Sequence, residues 1–212
     1  MEEEFNSEHE VTIRITVGRD ELIKILNKNG YSKTEDFVVD DIYMIPEEFN
    51  DINKYDERRI IEMSVRIRSF IIDSKLAAET EVRKEIVKKD KEFDDKNNIL
   101  NESKYVCRIK DVDEAFVLLK KLGYVELFRL KQDTQTFTNG KYEIIISQVN
   151  NRLYLEIENK DNKGNIVLKT PQEMINLIEG YNIPHVKDEY FAQKAIDIIR
   201  DMRNKSYKIK KI

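Results

Sequence analysis

Asp20-Glu21-Leu22-Ile23-Lys24-Ile25-Leu26-Asn27-Lys28-Asn29-Gly30-Tyr31 aligns without a gap on Asp113-Glu114-Ala115-Phe116-Val117-Leu118-Leu119-Lys120-Lys121-Leu122-Gly123-Tyr124, with Asp, Glu, Leu, Lys, Gly and Tyr coinciding at six of twelve positions. Each copy carries apolar residues at helical spacing and closes on glycine, the residue that most readily ends a helix in the left-handed region. Strand-like alternation precedes each copy (10–17 and 103–110) and follows it (37–45 and 125–137). The repeated unit is strand–helix–strand, present twice. Two such halves, each with extra strands, predict an α+β fold: an eight-stranded antiparallel sheet closed into a β-barrel, a tunnel, with its helices packed outside.

The strands carry an unusual polar face. From Glu10 to Val17 the odd positions are apolar and the even ones polar. Val65-Arg66-Ile67-Arg68 sets two arginines on one face, and Leu155-Glu156-Ile157-Glu158 sets two carboxylates on one face. In Phe128-Arg129-Leu130-Lys131-Gln132-Asp133 the charges again share a face. Further strands are expected near 80–89 and 141–149. If helices cover the apolar side, the other side turns inward. The lumen would then hold Glu10, Arg14, Asp41, Arg66, Arg68, Arg108, Arg129, Lys131, Asp133, Glu156 and Glu158. Buried like charges without partners are strongly unfavourable, so such a lumen would be wet and would bind ions. Alternation alone fits equally an ordinary half-exposed sheet whose polar face is solvated. In 80–89, either Arg83 and Glu85 or Lys84 and Lys88 face inward.

Helix signals complete the outline. Asp111 caps a helix through Glu114, and Thr170 caps another, with Pro171 at its first position. A last helix spans about Asp188 to Arg203 on an apolar stripe, while 46–59 and 90–103 read as loops. Residues 1–165 form the sheet domain, and 166–212 form a helical extension docked on its outer face. Charged residues make up 37% of the chain and apolar ones 40%, so it can fold around a core. A net charge of −4 argues against a nucleic-acid binder. No apolar run approaches the ~20 residues that span a bilayer. The single cysteine, Cys107, fits a reducing, cytoplasmic setting and is expected in the core. Two histidines and one cysteine cannot build a zinc site of the usual ligand count. Phosphate-cradling glycine loops are absent, so ligand binding must rest on Arg, Lys, Asp and Glu.

In ordered combination these elements resemble the CYTH family, the triphosphate tunnel proteins that include class IV adenylyl cyclases and thiamine and inorganic triphosphatases. Glu10-Val11-Thr12-Ile13-Arg14 stands for the opening ExExK strand, Asp41-Ile42-Tyr43 for the Asp-x-Tyr element, and Val65–Arg68 for the LRIR strand. The helix leading to a Gly-aromatic is Asp113–Tyr124, followed by Lys131-Gln132-Asp133 for Lys-x-Arg and Glu156-Ile157-Glu158 for the closing EIE. The match covers roughly residues 8–160. It departs at Thr12 for an acid, Arg14 for a lysine, Asp133 for an arginine, Lys104 and Arg108 near expected carboxylates, and Ser147 for an aspartate. The resemblance implies that Arg14, Arg66, Arg68, Arg108, Arg129 and Lys131 bind phosphate, and that Glu10, Glu156 and Glu158 hold Mg²⁺ or Mn²⁺. The implied activity is metal-dependent hydrolysis of a small organic or inorganic triphosphate. Cyclisation of ATP to cyclic AMP and non-catalytic binding of nucleotide or polyphosphate are the alternatives. The expected partner is a small triphosphate or nucleotide, and homodimerisation stays open.

Overall fold

A computed structural model of the chain describes residues 10–73, 81–93, 99–158, 168, 170–187 and 193–209. Among these residues eight strands are present: β1 (Glu10–Ile15), β2 (Ser32–Pro46), β3 (Val65–Asp73), β4 (Glu81–Phe93), β5 (Ile99–Arg108), β6 (Tyr124–Thr138), β7 (Glu143–Val149) and β8 (Arg152–Glu158). The helices are α1 (Arg19–Lys28), α2 (Glu57–Met63), α3 (Val112–Lys121), α4 (Pro171–Gly180) and α5 (Gln193–Ile209). The side chains of Asp111 and Thr170 accept from Glu114 N and Glu173 N, the expected caps. Gly30 and Gly123, which follow α1 and α3, have φ of +83° and +86°, so the repeat preserves the one backbone feature that requires glycine. The stretch read as a loop at 46–59 contains the start of α2, whose seven residues are too short to show a period. Strands β4 and β5 run into the 90–103 stretch that alternation left as a loop.

All eight strands form one antiparallel sheet in the order β1-β8-β7-β6-β2-β3-β4-β5. Exchanging β1 with β5, β2 with β6, β3 with β7 and β4 with β8 gives the same order read backwards. The sheet is thus pseudo-two-fold about the central β2–β6 pair, as a duplicated strand–helix–strand unit requires. The expected closure is not made: among the described residues β1 and β5 are the two edges and no ladder joins them. Part of the β1 edge is taken instead by the segment 184–186, whose Val186 N donates to Arg14 O at 2.9 Å and whose Pro184 O accepts from Thr16 N at 3.0 Å. Among the described residues the sheet is therefore open and not a closed barrel.

The core lies on both sides of the sheet. On the convex side, Val11, Ile13, Leu155 and Ile157 pack with Leu22 and Leu26 of α1 and Met174 and Ile178 of α4. Also on that side, Ile42, Met44 and Ile67 pack with Ala115 and Leu119 of α3. The concave side has its own apolar cluster, in which Tyr43, Ile45 and Tyr154 meet Ile60 of α2 and Ile199 of α5. Of the two C-terminal helices, α4 packs on the convex side and α5 on the concave side. The apolar stripe of α5 meets the two tyrosines that alternation assigns to the inner face.

Candidate functional site

Beyond the α2–α5 cluster, the concave face lines a cavity of about 260 Å³. Six basic side chains reach it: Arg66 and Arg68 from β3, Arg83 and Lys89 from β4, Lys104 from β5 and Lys194 from α5. Five acids reach it as well: Glu10 from β1, Glu35 from β2, Glu143 from β7, and Glu156 and Glu158 from β8. Strands β3 to β5 with α5 thus supply a basic wall, and β7, β8 and β1 supply most of an acidic one. A narrower pouch of about 60 Å³ adjoins it between α2, α5 and the sheet, sharing Glu10, Arg66, Lys89 and Lys194 with the larger cavity.

Arg68 is committed. Its Nε and Nη2 donate to the two oxygens of the fully buried Asp41 at 2.6 and 2.7 Å, and Gln132 donates to the same carboxylate at 3.3 Å. Burial would raise the Asp41 pKa, but the Arg68 charge and hydrogen bonds outweigh it and hold Asp41 below the usual carboxylate range. Arg66, two residues away, lies opposite Tyr43, with its guanidinium carbon 5.7 Å from the ring centroid. Its Nη2 is buried without a hydrogen-bond partner, an orphaned cationic donor in the wall shared by cavity and pouch.

Two acids of the opposite wall are matched to lysines. Glu10 accepts from Lys89 Nζ at 2.9 Å and from Thr12 Oγ1 at 3.1 Å, on different oxygens. Glu156 pairs with Lys194, each side chain about 14% exposed. Glu158 stands opposite Glu10 on the neighbouring strand. Crowding by the chain around it and the Glu10 charge push its pKa up to about 7, against the pull of Lys104 and Lys89. Glu143 is raised by burial and by Glu35. Among the described residues, no group of three or more His, Cys, Asp or Glu side chains is spaced to hold a metal ion.

The structure thus brings together Arg66, Arg68, Glu10, Glu156 and Glu158 from the expected set. Arg14 lies elsewhere, pairing with Asp197 of α5 at 3.2 Å in a separate pocket. Arg129 and Lys131 are on the opposite face, a correction to the expected lumen. Arg129 lies opposite Ile42 of the convex cluster, pairs with Glu126 at 3.1 Å and is within 5.7 Å of the Phe116 ring of α3. Lys131 is exposed opposite Asp40. The inward residues of β6 are instead Gln132, Thr134 and Thr136. Arg108 lies opposite Glu85 on the edge strand, exposed and away from the cavity lining. Cys107 is exposed beside it and not in the core. Of the two readings of β4, the inward set is the one containing Arg83 and Glu85. Lys89 and Lys194 were not singled out by sequence. Both parities of 83–91 are charged, and Lys194 sits on a helix expected outside.

No sequence-family model matches the chain, and no curated protein matches it. Solved structures do. A Pyrococcus horikoshii protein is 18% identical, with 82% of this chain and 86% of that one covered at a TM-score of 0.56. A candidate adenylate cyclase from Vibrio parahaemolyticus is 10% identical, with 90% and 98% covered at 0.53. A candidate adenylyl cyclase from Hippeastrum, described as having a dominant triphosphatase activity, is 10% identical, with 90% and 95% covered at 0.50. The chain is thus built on the fold of these solved structures, two of which are described as candidate adenylate cyclases.

Proposed function

We propose that the concave cavity binds a small molecule through a linear triphosphate. The observation that carries this reading is the buried, unpartnered Nη2 of Arg66. An orphaned cationic donor is costly to keep in an empty site, and a phosphate oxygen satisfies it with a charge-assisted bond. Arg83, Lys89, Lys104 and Lys194 line the same space and complement the remaining anionic oxygens. The Asp41 pair holds the Arg68 guanidinium rigid beside them, which favours recognition by a preorganised wall.

Hydrolysis of the bound triphosphate is a second reading, favoured by Glu158. A carboxyl titrating near neutrality is suited to accept a proton from water, while the cations offset charge developing on the phosphoryl oxygens. Calorimetric titration with tripolyphosphate and ATP tests the first reading, and phosphate release tests the second. Arg66→Ala should weaken tripolyphosphate binding by about 1.5–3 kcal/mol, the scale of a charge-assisted hydrogen bond. Unchanged affinity would return the cavity to an ordinary solvated sheet face. Tight binding without phosphate release would leave a binding protein.

A further inference from the structure

We infer that this site takes its triphosphate without a divalent cation, because lysines already occupy Glu10 and Glu156, two of the three carboxylates that would have to converge on a metal. The inference rests on the triphosphate reading above and concerns how that ligand's charge is balanced. A hard divalent cation requires several oxygen ligands converging on one point. Here Glu10 spends one oxygen on Lys89 and the other on Thr12. Glu156 is engaged by Lys194, a residue delivered from α5 and not from the sheet. No cluster of three acids is spaced for a metal among the described residues.

The seat of Lys194 is built rather than incidental. Along α5, residues 194, 197 and 201 meet β8 residues 156, 154 and 152 in turn. Lys194 pairs with Glu156, Asp197 accepts from Tyr154 at 2.8 Å, and Asp201 accepts from Arg152 at 2.7 and 3.0 Å. Helix spacing of three and four residues matches strand spacing of two, so this register fixes the ammonium over the acidic wall. A metal entering at Glu156 would have to displace an ammonium whose helix is held to β8 by three successive contacts. A triphosphate, in contrast, meets ammonium groups already in position and needs only to share them. Glu10 and Glu156 then act as positioning residues for Lys89 and Lys194.

The test is calorimetric titration of the full chain with tripolyphosphate, in EDTA and separately in excess Mg²⁺ or Mn²⁺. Binding in EDTA should be at least as tight as with either metal. Lys194→Met should weaken binding in EDTA by roughly tenfold or more, the scale of one charge-assisted contact, and added metal should restore part of it by using the bared Glu156. Glu156→Gln, which loosens the hold on Lys194, should weaken binding in EDTA by about threefold, on the scale of a neutral hydrogen bond replacing a charged one, and added metal should not restore it. Wild-type binding that is tenfold or more tighter with metal overturns the inference while leaving the triphosphate reading intact. Absence of binding in every condition overturns that reading, and this inference with it.

Discussion

A carboxyl group whose pKa stands near 7 is a source of instability as well as of chemistry. Glu158 ordinarily titrates near 4.5, and in the folded chain it is pushed up to about 7. Between those values the unfolded chain releases a proton that the folded chain keeps. The folded state therefore loses stability as pH rises through that window and gains nothing further above it. Because the carboxyl is open to solvent, the effect is smaller than the bare shift would give. Glu158→Gln removes it: thermal melts at pH 5 and pH 8 should show the variant level with the wild type at pH 5 and more stable at pH 8. Equal differences at both values would show that Glu158 does not carry the shift. At this scale the legible part of the site was the i, i+2 pairs. Arg66 with Arg68, and Glu156 with Glu158, each fix a common face by strand geometry alone. Arg129 and Lys131 obey the same rule and were still misassigned. Periodicity groups residues on one face without saying which face, and here Leu130 and Gln132 won the inner one through packing and the Asp41 contact.

Helix α5, like the short α2 and unlike α1, α3 and α4, lies on the polar side of the sheet. Its apolar residues Ile198, Ile199 and Met202 complete the cluster around Tyr43 and Tyr154, and its polar residues form the stepped contacts with β8. Arg203 fastens it to the other inner helix, donating to the carbonyls of Ile52 and Tyr55 and pairing with Glu57. Ile199 is fully buried at the centre of this arrangement. Ile199→Ala should cost about 2–5 kcal/mol, the range for truncating a buried aliphatic side chain, read from the midpoint of a urea transition. A cost below 1 kcal/mol would mean that α5 is only loosely seated. Sequence revealed this helix by its stripe but not its seat, because an apolar stripe reports that a partner exists and not which one. The inner face offers one only because Tyr43 and Tyr154 interrupt the charged rows, and tyrosine reads as polar or apolar equally well.

Across the whole molecule, the duplication legible in twelve aligned residues reappears as the pseudo-two-fold strand order, which the sequence itself did not spell out. What the repeat could not reveal was the seam, because closure depends on curvature accumulated over eight strands and not on any local pattern. The two halves have since diverged in charge, so a pseudo-symmetric sheet encloses an asymmetric cavity, basic from β3 to β5 and acidic from β7 through β8 to β1. The seam has a consequence of its own for proton exchange. Backbone groups alternate sides along a strand, and those facing an unpaired edge have water as their partner. Arg14 O and Thr16 N face the 184–186 segment, which places the amide of Thr12 on the open side of β1 and those of Val11 and Ile13 toward β8. Ile109 N donates to Lys84 O, which places the amides of Lys104, Val106 and Arg108 on the open side of β5. Deuterium should therefore enter Thr12, Lys104, Val106 and Arg108 early, Val11 and Ile13 later, and the central β2–β6 ladder last of all. Uniform protection of the two edges would mean that solvent never reaches them. The edges of this fold would then be readable amide by amide, as two alternating combs of fast and slow exchange whose fast teeth face each other.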